Sequence, residues 1–229
     1  FNFGKKTGID LPGEKTGVYP STAWKMKTYK KPWLPGETVS ASIGQGYFLA
    51  TPLQVANATA ILANAGNHLT PHLLSKTTGA VKYSPANKPD GKIPFRGTEQ
   101  DWLNMQTAME LTVKSGTAKA VYTDRYRLAG KTGTAQVKSI AQGKRYNEAA
   151  LSERHRDHGW FIAFAPVDNP QIAVAVIVEN GRGGSKVAPI ARKAIDYWLL
   201  TRHNNPITPP SPEQLAKINA EKQQLRLQR

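Results

Sequence analysis

Between Trp160 and Val178 the chain reads WFIAFAPVDNPQIAVAVIV. Two runs rich in aromatic and β-branched residues, Trp160 to Pro166 and Ile172 to Val178, are joined by the turn residues Val167, Asp168, Asn169 and Pro170. So short a link predicts an antiparallel pair, because a parallel pair needs a crossover of about a dozen residues or more. Upstream, Tyr126 to Val137 (YRLAGKTGTAQV) reads as a further strand, and residues 138–158 follow as a long polar loop. Downstream, NGRGGS (Asn180 to Ser185) reads as a loop. Lys186 to Leu200 reads as a helix, with Val187, Ile190, Ala194, Ile195, Trp198 and Leu199 on one stripe.

Two helices are expected before the strands. Thr51 is a good N-cap, Pro52 suits the first helical position, and Gly66 can end the helix. No charge falls between Gln54 and Ala65, which predicts a helix buried on most sides. Thr98 starts the second helix with Asp101 as its capping partner, and Trp102, Met105, Met109 and Val113 are expected in the core. Residues 1–36 read as irregular surface, Val39 to Tyr47 as extended, and 70–96 as an exposed excursion with a weak strand at His72 to Leu74. The fold class is therefore α+β, an antiparallel sheet covered by helices, over residues 1–201. Residues 202–229 are rich in Pro, Gln, Lys and Arg and read as a disordered or solvated tail.

Composition narrows the function. The chain has 229 residues, 31 Lys and Arg against 16 Asp and Glu, a net charge of +15, and no cysteine. Thiol catalysis, disulfides and thiolate zinc sites are excluded. The charge leaves nucleic acid, an anionic surface or an anionic polymer open as partners. It is scattered, however, with no basic helix and no aromatic-basic strand repeat, so a nucleic-acid partner is not expected. The aliphatic run Ile172 to Val178 has seven residues, where a membrane span needs about 20.

The tripeptide Lys-Thr-Gly occurs three times, at Lys6, Lys15 and Lys131. The copies at Lys6 and Lys15 run into turn residues (IDLPG and VYP) and are expected on surface loops. The copy at Lys131 lies in a strand-like stretch and continues to a second hydroxyl, giving Lys131-Thr132-Gly133-Thr134. Gly133 lets another backbone approach, and period-2 spacing lets Thr132 and Thr134 offer hydroxyls to one anion beside the Lys131 ammonium. Such a strand could take an extended peptide ending in a carboxylate by strand addition. An ordinary strand with a glycine bulge fits the same residues.

Other stretches carry weaker readings. His155 and His158 flank Asp157 like a metal corner, but the surrounding arginines favour a structural loop. The 138–158 loop could rim a groove along the Lys131 strand or could be a plain solvated loop. Gly44-Gln45-Gly46 has the wrong spacing for a phosphate loop and is expected to serve tight backbone packing. Gly181 to Gly184 could hold an anion at a helix start, although a turn fits better.

Five stretches together resemble the penicillin-binding transpeptidases, in their rod-shape class B branch: FGKKTGIDLPGE, KPWLPGETVSASIGQGYFLATPLQ, LAGKTGTAQV, RDHGWFIAFAP and NPQIAVAVIVENG. They span about residues 1 to 200 in the family's order. The resemblance implies the penicillin-binding, serine β-lactamase-like transpeptidase fold with a five-stranded sheet. It implies a site built from Ser-x-x-Lys, Ser-x-Asn or Ser-x-Asp, and Lys-Thr-Gly. It assigns Lys131 an electrostatic role, Thr132 and Thr134 the substrate carboxylate, and the Thr134 N–H an oxyanion donor; no cofactor is implied. Implied partners are peptidoglycan stem peptides, β-lactam antibiotics, a SEDS-type glycan polymerase and elongation-machinery proteins, at the periplasmic face of the inner membrane. The sequence departs from the pattern in one respect. No serine begins Ser-x-x-Lys: Ser21…Lys25 and Ser115…Lys119 each have one residue too many, and Ser-x-Asn and Ser-x-Asp are absent. The expectation is a C-terminal portion of a transpeptidase domain, with the nucleophile and membrane anchor encoded upstream. A sheet with one edge and one face uncovered is also expected, and the chain alone should be inactive. The rival readings are a non-catalytic scaffold or a basic nucleic-acid-binding module.

Overall fold

The computed structural model describes residues 1–77, 90–137 and 151–202. These fall in two compact units, Phe1–Ile195 and a second beginning at Asp196. In the second unit the described residues include a π-helical turn, Tyr197–Thr201, with Arg202 stacked 3.8 Å over the Trp198 ring. The expected tail lies almost wholly outside the described residues.

The first unit is built on a three-stranded antiparallel sheet of β3 (Ala129–Ala135), β4 (His158–Ala165) and β5 (Ile172–Val178), with β4 central. Gly133 pairs with Trp160 and Ala135 with His158, while Ala165 pairs with Ile172. The short link thus forms the expected antiparallel pair.

Alternation along β4 sorts the two faces. Trp160, Ile162 and Phe164 point toward α3 (Pro52–Ala63) and α4 (Glu99–Lys114), where Phe164 packs with Ala63, Met109, Ala129 and Val167. Burying a phenylalanine there contributes roughly 2–3 kcal/mol. Gly159, Phe161, Ala163 and Ala165 share the other face and are all buried. This face lies under α5 (Gly184–Asp196), since a Cβ on Gly159 would come within 2.5 Å of Val187 Cγ2. Both faces therefore carry helices, which corrects the expected bare face. Edges are open on both sides of the sheet among the described residues, at β3 and β5.

The helices show how far periodicity reaches. α3 begins and is buried as expected, with no exposed residue from Leu53 to Gly66. In α4 the buried set is Trp102, Gln106, Met109, Glu110 and Val113, whereas Met105 is half exposed. In α5 the buried set is Val187, Ala188, Ala191 and Ile195, so the stripe is rotated from the expected one and leaves Ile190 and Ala194 exposed. Close packing of Gly184 against the sheet sets that rotation: a Cβ there would lie 2.2 Å from Trp160 O and 2.6 Å from Gly133 N.

The first fifty residues are not simply irregular. α1 (Thr22–Tyr29) is capped by the Ser21 hydroxyl, and α2 (Pro35–Ser42) replaces much of the expected extended stretch. An ion pair between the buried Lys25 and the half-buried Glu37 joins the two helices, and Lys25 also lies 5.9 Å over the Tyr47 ring. That tertiary pairing, not local propensity, stabilises two eight-residue helices. His72 to Leu74 form no strand, because the Asp10 carboxylate takes the Leu73 and Leu74 amides at 2.7 and 2.8 Å. The small ladder is instead β1 (Asn67–His68) with β2 (Gly91–Lys92). Gly44 has φ +74° and open space around it, so it serves a left-handed turn and not tight packing.

Candidate active-site wall

The three Lys-Thr-Gly copies have different local structures. In the first, Thr7 is buried and gives its amide and hydroxyl to Glu14 Oε1 at 2.7 and 2.6 Å. In the second, Gly17 has φ +62°, and a Cβ would strike Leu49 O at 2.2 Å. That glycine permits the two hydrogen bonds between Val18 and Leu49. Both copies are loop structure, held by the fully buried Gln54, whose Nε2 donates to Lys5 O at 2.7 Å and Thr16 O at 2.8 Å.

The third copy stands on β3, an edge strand of the sheet among the described residues. Lys131 and Thr134 are exposed, and Thr132 and Gly133 are half-buried. The Lys131 Nζ donates to Thr132 O at 2.8 Å, so the ammonium lies against the strand edge. Thr132 Oγ1 is 2.9 Å from Thr117 Oγ1. The register places Lys131, Gly133 and Ala135 on the Trp160 face, and Thr132 and Thr134 on the other. At a sheet edge both rows remain reachable, and all of Lys131 to Gln136 line one groove of about 600 Å³.

The groove's opposite wall is apolar, formed by Ile43, Phe48, Leu49, Ala50 and Val55. Its floor is His158, Trp160, Ile162 and Ile177. The lining contains neither serine nor cysteine. This wall was not legible in sequence, because it joins the end of α2 and the start of α3 to a sheet whose strands lie far along the chain.

Neither alternative serine-lysine pair forms a catalytic arrangement. Ser21 caps α1 through Trp24 N at 3.1 Å, while Lys25 is buried against Glu37. Ser115 ends α4 and bonds back to Leu111 O at 3.3 Å, and Lys119 lies beyond the helix in a 3₁₀ turn.

The approach to β3 is pinned. Arg127 donates through Nε and Nη2 to the two Glu110 oxygens at 2.9 and 2.8 Å, and Lys114 Nζ lies 3.1 Å from Oε1. The hydrogen bonds from Arg127 hold the Glu110 carboxyl down at about 2, from an ordinary 4.5.

His155 and His158 do not converge as a metal corner. His155 Nδ1 meets Ser152 Oγ at 3.0 Å, and His158 Nδ1 accepts from Asn180 N at 2.9 Å. Among the described residues no group of three His, Cys, Asp or Glu side chains could hold a metal ion. The rim reading of the 138–158 loop rests mainly on residues outside the described ones. Gly181 to Gly183 link β5 to α5 with Gly183 N donating to Gly181 O at 3.0 Å, and Gly184 is already the first residue of α5. Among the described residues no helix is long and apolar enough to cross a membrane.

Residues 1–196 match the family model described as the penicillin binding protein transpeptidase domain. The peptidoglycan D,D-transpeptidase MrdA of Acinetobacter baumannii is 60% identical over 209 residues, covering 91% of this chain and 31% of that protein. The crystal structure of Pseudomonas aeruginosa PBP2 in complex with WCK 5153 aligns with a TM-score of 0.73 at 41% identity, over 89% of this chain and 43% of that one. The Helicobacter pylori complex of PBP2 with MreC aligns with a TM-score of 0.69 at 33% identity, over 87% and 34%. The chain spans about a third of the length of the curated relatives it matches. By its match over residues 1–196, its sheet and its Lys131-Thr132-Gly133 edge strand, this chain belongs to the penicillin-binding protein transpeptidase domain family.

Proposed function

We propose that the chain forms the Lys-Thr-Gly wall of a serine-type peptidoglycan D,D-transpeptidase acting in cell-wall elongation. The observation that carries this reading is the exposed edge Lys131-Thr132-Gly133-Thr134 along a groove of about 600 Å³ with an apolar opposite wall. A stem peptide, or a β-lactam imitating its D-Ala-D-Ala end, lies along β3 as an added strand. The Thr132 and Thr134 hydroxyls donate to its terminal carboxylate, and Lys131 supplies positive potential at their side. The Thr134 N–H is one oxyanion-hole donor.

The nucleophile comes from a Ser-x-x-Lys segment outside these 229 residues. Its serine Oγ forms an ester with the penultimate D-alanine carbonyl carbon, and terminal D-alanine leaves as the amine. An amine of a neighbouring stem then attacks the ester, forming the cross-linking amide and returning the serine. The site acts at the periplasmic face of the inner membrane, with a SEDS-type glycan polymerase and elongation-machinery proteins as partners. The MreC-bound relative supports the last point.

A fluorescent penicillin tests the reading. The complete protein carrying this chain should label covalently, and Thr132→Val should slow labelling about a hundredfold. The 229-residue chain alone should form no adduct. An adduct on the isolated chain would overturn the assignment of the nucleophile. A complete protein that never labels would leave a non-catalytic scaffold of the elongation machinery.

A further inference from the structure

Thr117 is a polar residue that the function above does not use. It sits in Ser115-Gly116-Thr117-Ala118, between α4 and the 3₁₀ turn Lys119–Val121. This connection is rigidly held. Gly116 N donates to Leu111 O at 3.0 Å, Ala118 N to Thr112 O at 3.1 Å, and Val121 N to Ala118 O at 3.0 Å. Ala118 and Val121 are buried, and Arg192 of α5 donates to Val121 O at 2.9 Å. On this fixed support the exposed Thr117 places its Oγ1 2.9 Å from Thr132 Oγ1.

Each hydroxyl has one proton to give and lone pairs to accept with. An anion in the groove needs the Thr132 proton directed at it. Thr132 Oγ1 can then accept from Thr117, so that both protons run one way, toward the anion. Such a chain polarises the terminal donor and fixes its rotor. The carbonyl of Thr132 is already held by Lys131 Nζ at 2.8 Å. We propose that Thr117 is a positioning residue: its hydroxyl donates to Thr132 and thereby sets this site's preference for ligands carrying a carboxylate. The proposal rests on the reading of Thr132 as a carboxylate donor.

The test uses the complete protein and two probes, a penicillin with a free carboxylate and its methyl ester. Thr117→Val keeps the side-chain volume and removes the hydroxyl. It should slow acylation by the free acid about tenfold and leave the rate with the ester unchanged. Thr117→Ser should restore the free-acid rate to within about twofold of wild type, because the hydroxyl returns. Thr117→Ala, which introduces no extra methyl, should repeat the selective loss and guards against a packing fault in the valine variant. Equal losses with both probes, or a free-acid rate unaffected by Thr117→Val, would overturn the proposal. Thr132→Val separates the two levels. If it shows no carboxylate-selective loss, the site reading fails and the role of Thr117 falls with it. If it does and Thr117→Val does not, only the role of Thr117 fails.

Discussion

At the residue scale, Gln54 illustrates what a buried polar side chain does. Its Oε1 accepts from Thr51 N at 2.9 Å, closing a reciprocal cap with Thr51, while its Nε2 serves Lys5 O and Thr16 O. One side chain thus starts α3 and ties down two loops that contain Lys-Thr-Gly copies. Replacing it with alanine empties a fully buried site and removes the donor that both loop carbonyls share. Gln54→Ala should cost about 2–3 kcal/mol in urea unfolding and expose residues 1–20 to limited proteolysis. The Thr51 cap was visible in sequence, whereas the part played by Gln54 was not. Its loop partners lie 38 and 49 residues away and were not visible. Met105 teaches the complement. Its spacing from Trp102 and Met109 suits a core position, yet it is half exposed, because the buried face of α4 runs through Gln106 and Glu110.

At the element scale, two contacts hold β3 where it can serve the groove. One is the Glu110–Arg127 pair linking α4 to the entry of β3. The folded carboxyl titrates at about 2 and the ordinary value is 4.5, so the folded value is the lower one. Its contribution is therefore complete above about pH 4.5 and is lost as pH falls toward about 2. Acid titration of stability should show a wild-type loss in that window which Glu110→Gln lacks. At neutral pH the same variant should be less stable by about 2 kcal/mol. The other contact is Gly184, seated on the backbone of Gly133 and Trp160. Gly184→Ala forces α5 away from the sheet and should cost about 1–3 kcal/mol, read as a lower thermal midpoint. The existence of α5 was legible from its apolar repeat. Its rotation was not, because a glycine–backbone contact carries no hydrophobic signal.

At the scale of the whole molecule, the sheet is the organising unit and its strands are unequal. β4 is flanked on both sides, whereas β3 and β5 each have an open edge among the described residues. All seven residues of β5 are half-buried, while the central β4 carries fully buried Phe161, Ala163, Phe164 and Ala165. In the 229-residue chain, amide exchange should be slowest along β4, with alternate β5 amides exchanging much faster. Uniform protection across β4 and β5 would show that the β5 edge is covered in solution.

The sequence by itself determined the strand pair from Trp160 to Val178, the two capped helices and the family. Each depends on near-neighbour chemistry: short turns, caps, alternation and contiguous motifs. It also singled out Lys131-Thr132-Gly133-Thr134 from three equal-looking tripeptides, by strand context. Only the tertiary structure decided what surrounds that edge. The apolar wall from Ile43 to Val55, the Glu110–Arg127 pin and the Thr117–Thr132 hydroxyl pair join residues that local patterning treats as independent. Their meeting depends on how the helices pack across the sheet, and packing is set by contacts between residues far apart in the chain.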